Sequence, residues 1–113
     1  MPSAGKLKKV MTTIKTIPKR LTVREITNGL KSLSGWNYLP KKKAISVDCK
    51  MKDFMAVIRA IQKIAKWAEK ANHHPDLYLT RYRYLKILPS THEAGGVTEK
   101  DFSLAKRINV KEK

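Results

Sequence analysis

Every imidazole in this 113-residue chain lies in one stretch: His73 and His74 are adjacent, and His92 follows. Histidine is the one side chain that ordinarily gives and takes a proton near neutral pH, and it is also a common metal ligand. Glu69 and His73 stand one helical turn apart, so a carboxylate and an imidazole share a helix face there. That spacing lets Glu69 hydrogen-bond His73 and fix its tautomer. His74 falls just beyond, where Pro75 turns the chain, and Ser90 and Thr91 add hydroxyls beside His92. The set describes a pocket of imidazoles, one carboxylate and small donors, without a cysteine nucleophile.

Three chemistries fit such a set. Proton transfer needs groups that titrate near pH 7. A three-histidine zinc site is a second possibility, but adjacent histidines rarely converge on one ion, and neither H-x-x-x-H nor H-x-H is present. Nucleophilic catalysis lacks an elbow motif around Ser90. Against all three stands the plain alternative of surface histidines at turns.

The elements that must position these residues are legible in the patterning. Thr22-Val23-Arg24-Glu25 forms a capping box, predicting a helix over 23–33 with Val23, Ile26, Leu30 and Leu33 on one face, ended by Ser34-Gly35. Residues 36–39 read as a short strand, Pro40 and three lysines as a turn, and 44–51 as a half-buried strand alternating Ile45, Val47, Cys49 and Met51. Residues 53–72 form the clearest helix, with Phe54, Val57, Ile58, Ile61, Ile64, Ala65 and Ala68 in one stripe. Ala60, Trp67 and Ala71 widen that stripe beyond what one sheet face needs, which predicts oligomerisation through this helix. Pro75 disfavours helical backbone at His74, so the helix ends near His73.

Residues 77–88 are rich in strand formers and too long for one strand. They predict a hairpin turning near Tyr82-Arg83, which carries His92 back toward His73 and His74. Thr98-Glu99-Lys100-Asp101 caps a last helix carrying Phe102, Ala105 and Ile108 inward. The order α-β-β-α-β-β-α describes an α+β domain, a four-stranded antiparallel sheet with three helices packed on one face.

Composition bounds the rest. The length suits one domain, here 21–113, after a basic extension at 1–20. No apolar run approaches the ~20 residues that span a bilayer. Cys49 is the only cysteine, which suits a reducing compartment, and no secretory segment is evident. A cytoplasmic protein is the expectation. The acid-free basic N-terminus also allows a mitochondrial presequence, although it is built mostly from lysine rather than arginine.

The formal charge is +16, with no acid before Glu25 and a cluster at Lys41-Lys42-Lys43. A polyanion such as nucleic acid is one reading. The basic N-terminus and the lysine cluster lack interleaved stacking aromatics or a recognisable nucleic-acid module, which favours a solvated basic surface instead.

One resemblance joins these features. The run Glu69-Lys-Ala-Asn-His73-His74-Pro75-Asp-Leu, then Tyr82-Arg, then Ser90-Thr91-His92-Glu-Ala-Gly-Gly-Val-Thr98-Glu-Lys-Asp101-Phe, closely resembles the pterin-4a-carbinolamine dehydratases. Gly35-Trp36-Asn37 and Lys52-Asp53-Phe54 are similar to that family's earlier landmarks, and the likeness covers about residues 21–110.

The resemblance implies a hydro-lyase that removes water from a 4a-hydroxytetrahydropterin to give the quinonoid dihydropterin, in support of cofactor recycling for aromatic amino acid hydroxylases. It implies metal-free chemistry without a cofactor, and a homotetramer, a dimer of dimers, joined through the helix at 53–72. Carried onto matching positions, His73 and His92 serve as general acids or bases, His74 mainly holds the pterin, and Glu69 orients His73. Asn72, Pro75, Ser90, Thr91 and Glu93 line the ring site, and Trp36 either walls it or packs. Asp101 matches an aspartate of the family pattern and is read here as a helix cap.

Two positions depart from the pattern. Asn72 stands where many members carry aspartate. Pro89 replaces an apolar residue and removes an amide donor, putting local strand pairing in question. A non-catalytic dimerisation or coactivator-type module with a basic surface is the alternative function.

Overall fold

The structure is a computed structural model and describes residues 18–112. Most of the basic extension expected at 1–20, with any presequence in it, lies outside the described residues. Among those described are helices α1 (Val23–Leu30), α2 (Phe54–Ala71) and α3 (Glu99–Glu112), and strands β1 (Trp36–Leu39), β2 (Ala44–Lys50), β3 (Asp76–Thr80) and β4 (Tyr84–Leu88). This is the expected α-β-β-α-β-β-α order.

Each start has a local cause. The Thr22 N–H donates to Glu25 Oε1 at 2.8 Å while the Glu25 N–H donates to Thr22 Oγ1 at 3.2 Å, a complete capping box. Helix α1 ends at Leu30, earlier than predicted, because the following amides at Lys31, Ser32 and Leu33 bond three residues back and tighten the last turn. Asp53 caps α2 through the Ala56 N–H at 2.8 Å.

The sheet is antiparallel throughout, in the order β1-β2-β4-β3. Helix α2 carries the chain from β2 to the far edge, and the β3–β4 hairpin returns it to the middle. Residues 81–83 make that turn, with Arg81 and Tyr82 both at positive φ (48° and 56°). Pro89 does not break the ladder: its carbonyl accepts from the Ile45 N–H at 3.3 Å, so only the group proline retains is used.

One face of the sheet supplies Ile45, Val47, Leu85 and Ile87 to the core, against Ile26, Val57, Ile64, Phe102 and Ile108 of the helices. The other face carries none of the described helices, and Tyr78 and Tyr84 stand exposed on it. Trp36 belongs to the core cluster. Its Nε1 is buried without a hydrogen-bond partner among the described residues.

Candidate functional site

Register builds the site. Asp76 pairs with Leu88, so the segment entering β3 and the segment leaving β4 lie at one end of the sheet. His73, His74 and Pro75 come from the first segment, and Ser90, Thr91 and His92 from the second.

The end of α2 sets His73. Asn72 takes left-handed backbone (φ 51°, ψ 45°), its N–H bonds Glu69 O at 3.2 Å, and the His73 N–H bonds Ala68 O at 2.9 Å. These two bonds are the Schellman closure. Asparagine tolerates the left-handed region better than most residues, which accounts for its presence here. Asn72 itself is exposed and closes the helix.

The imidazole of His73 is 7% exposed and its Nε2 lies 2.5 Å from Oδ1 of Asp101, which is fully buried. Oδ2 of the same carboxylate accepts the Thr98 N–H at 2.8 Å and the Thr91 hydroxyl at 2.9 Å. Thr91 Oγ1 is also 2.7 Å from Thr98 Oγ1. The proton directions follow from the acceptors. A carboxylate only accepts, so Thr91 spends its proton on Asp101 and Thr98 must donate to Thr91. By the same accounting His73 carries its proton on Nε2, leaving Nδ1 as the nitrogen free to exchange one.

Two sequence expectations are corrected here. Glu69 does not meet His73; its Oε2 contacts Nε2 of His74, and both side chains are exposed. The Schellman turn places the His73 ring inward and leaves His74 beside the last turn of α2. Asp101 is a helix cap, as read, but capping occupies only Oδ2, and Oδ1 is the group that orients His73. The Thr98-x-x-Asp101 spacing signalled the cap. Nothing in the local sequence signalled a partner 28 residues away.

The remaining predicted residues divide. Thr91 is buried in the network, and its backbone bridges Gly96. His92 and Glu93 follow it, exposed, on a short 3-10 turn over His92–Ala94. Ser90 donates to the Lys43 carbonyl at 2.6 Å, tying the exit of β4 to the β1–β2 turn. Pro75 is half-buried. Trp36 lies in the core, level with Val47 and Ile87 in the sheet register. A cavity of about 250 Å³ opens beside His73, lined by Trp67, Ala71, Ser103 and Leu104, with the Arg107 guanidinium 5.6 Å from the Trp67 ring. Among the described residues no three His, Cys, Asp or Glu side chains are grouped to hold a metal ion. No helix among them is long and apolar enough to cross a membrane.

A family model described as pterin 4 alpha carbinolamine dehydratase matches residues 19–110, spanning every element of this site. The chain belongs to that family. A provisionally named pterin-4-alpha-carbinolamine dehydratase of Nostoc punctiforme is 39% identical over 89 residues, covering 79% of this chain and 92% of its own. One from Brucella ovis, also provisionally named, is 34% identical over 91 residues, covering 80% and 93%. A crystal structure of a transcriptional coactivator/pterin dehydratase from Brucella melitensis superposes with a TM-score of 0.76 at 34% identity, covering 81% of this chain and 97% of that one. The dehydratase family thus accounts for the fold and for the stretch that holds His73, His74, His92 and Asp101.

Proposed function

We propose that this chain dehydrates a 4a-hydroxytetrahydropterin to the quinonoid dihydropterin by metal-free histidine acid/base catalysis. The observation that carries the reading is the buried Asp101–His73 pair, with Thr91 on the same carboxylate and His92 next in the chain. Loss of water needs a proton delivered to the departing 4a-oxygen and removal of the proton on N5. His73 and His92 are assigned to these transfers. Asp101 holds His73 in one tautomer, so its Nδ1 is the exchanging atom. His74, backed by Glu69, is assigned to holding the pterin, with Thr91, Pro75 and the Ser90–Glu93 backbone around the ring. Trp36 is assigned to packing.

The reaction regenerates a dihydropterin for reduction, which suits recycling of a hydroxylase cofactor in the cytoplasm. A homotetramer formed through α2 is part of the same reading. Phe54, Ile58, Ile61 and Ala65 make a second stripe beside the buried one of Val57, Ala60, Ile64 and Ala68, and Phe54 and Ala65 are exposed.

The test is dehydration of a 4a-hydroxytetrahydropterin in the presence of a strong chelator. Acceleration over buffer is expected. No acceleration overturns the enzyme reading, and activity lost only with chelator overturns the metal-free mechanism. The naming of the solved relative as a transcriptional coactivator as well as a pterin dehydratase, together with the +16 charge, favours a binding module as the second reading. A chain that binds a partner protein yet turns over no pterin would decide for it.

A further inference from the structure

A concavity of about 510 Å³ lies away from the histidines, on the face of the sheet that carries none of the described helices. Tyr78 and Tyr84 stand on it, 45% and 37% exposed. Tyr84 pairs with Thr80 and Tyr78 with Lys86, so the two rings are diagonal neighbours on adjacent strands. Lys42 and Arg81 line the same concavity. Lys86 lies directly opposite Tyr78 and is matched by Asp48 at 3.6 Å, while Lys42 and Arg81 have no such acidic partner among the described residues.

We propose that this face binds a single-stranded nucleic acid, its bases stacked on Tyr84 and Tyr78 and its phosphates met by Lys42 and Arg81. Exposed aromatics on an antiparallel sheet between cations have the chemistry of a single-strand platform: every base has a π-face, and the backbone is an anion. Tyr78, Arg81 and Tyr84 lie within seven residues of the β3–β4 hairpin, and the sheet brings Lys42 from the β1–β2 turn to the same concavity. The overall charge of +16 supplies long-range attraction that a small, nearly neutral pterin does not call for. An acidic peptide would use the cations but offers no regular series of flat faces to two tyrosines. A duplex hides its base faces in the stack.

The experiment is fluorescence anisotropy of a short labelled oligouridylate with the full chain. Tyr78→Ala and Tyr84→Ala are each expected to weaken binding about 10-fold, with Tyr→Phe at either position retaining it. Lys42→Ala or Arg81→Ala should each reduce the slope of log affinity against log salt by about 0.7. Backbone amide shifts of the wild-type chain on adding the oligonucleotide should centre on Tyr78–Lys86, a readout that needs no variant. Three results would overturn the proposal: equal affinity for a duplex of the same length, alanine variants that bind like wild type, or shifts centred elsewhere. Loss of self-association in the tyrosine variants, without any effect on oligonucleotide binding, would assign the face to a second copy instead.

Discussion

Asp101→Asn separates the two histidine–carboxylate pairs. The substitution keeps shape and removes charge. In the native site two oxygens serve three donors, at 2.5, 2.8 and 2.9 Å. Asparagine keeps one oxygen, which can serve Thr98 N–H and Thr91, and turns its amide toward a His73 nitrogen that already carries a proton. His73 must then move its proton to Nδ1. A hydrogen bond to a charged acceptor contributes roughly 2 kcal/mol and a neutral one roughly 1, so three weakened bonds cost about 3 kcal/mol. A domain with 5–15 kcal/mol of stability remains folded after that loss. The catalytic consequence is larger, because Nδ1 now presents a proton where it should present a lone pair. Positioned acid/base catalysis contributes about 10²–10⁴-fold, and that range is the expected fall in kcat, with KM little changed. Glu69→Gln is the control. Its pair with His74 is exposed and worth at most about 1 kcal/mol, so kcat should fall less than about 5-fold while KM rises. Stopped-flow absorbance of the 4a-hydroxypterin measures both, and ¹⁵N shifts of the imidazoles report the tautomer. If Asp101→Asn keeps kcat within a few-fold, or if Glu69→Gln loses as much, the assignment of Asp101 as the positioning residue for His73 is wrong.

Three further outcomes follow. Gly29→Ala should lower stability by about 1–2 kcal/mol in thermal or urea unfolding, although alanine favours helix, because its Cβ would lie 2.7 Å from the buried Phe102 ring and overpacking outweighs propensity. The Thr22 backbone N–H and hydroxyl hold the Glu25 carboxyl below the usual glutamate range, so its contribution is full above that range and is lost as pH falls through the lowered value; wild type and Glu25→Gln should therefore converge in stability in acid and differ at neutral pH. Phe54→Glu should dissociate the proposed tetramer in light-scattering chromatography without unfolding the chain, because Phe54 is 47% exposed in the single chain; an unchanged mass would remove α2 as the interface.

Local rules made most of the fold readable. Capping boxes at Thr22 and Thr98, the apolar stripe of α2 and the alternation in β2 each act within a few residues, and each element formed where its pattern lies. The differences arise where backbone geometry or distance intervenes. Leu33 lies on the helical face by spacing, yet the chain had already tightened into 3-10 turns. Arg81 and Tyr82 adopt left-handed turn geometry that neither residue type advertises. Glu69 and His73 have the right spacing for a helix pair, but Asn72 unwinds the helix between them and gives Glu69 to His74. Asp101 and His73 meet only through the tertiary fold, and Lys42 joins the open-face tyrosines only through the sheet. Spacing along the chain is blind to both.

The double use of Asp101 also orders the assembly of the site. One oxygen starts α3 and the other holds His73, so the imidazole cannot be fixed until the last helix has docked against the end of α2. During synthesis the histidines emerge before the residue that aligns them. A chain interrupted between His92 and Asp101 would carry all three imidazoles without the carboxylate that holds His73, which makes completion of the fold a precondition for the proposed proton transfer.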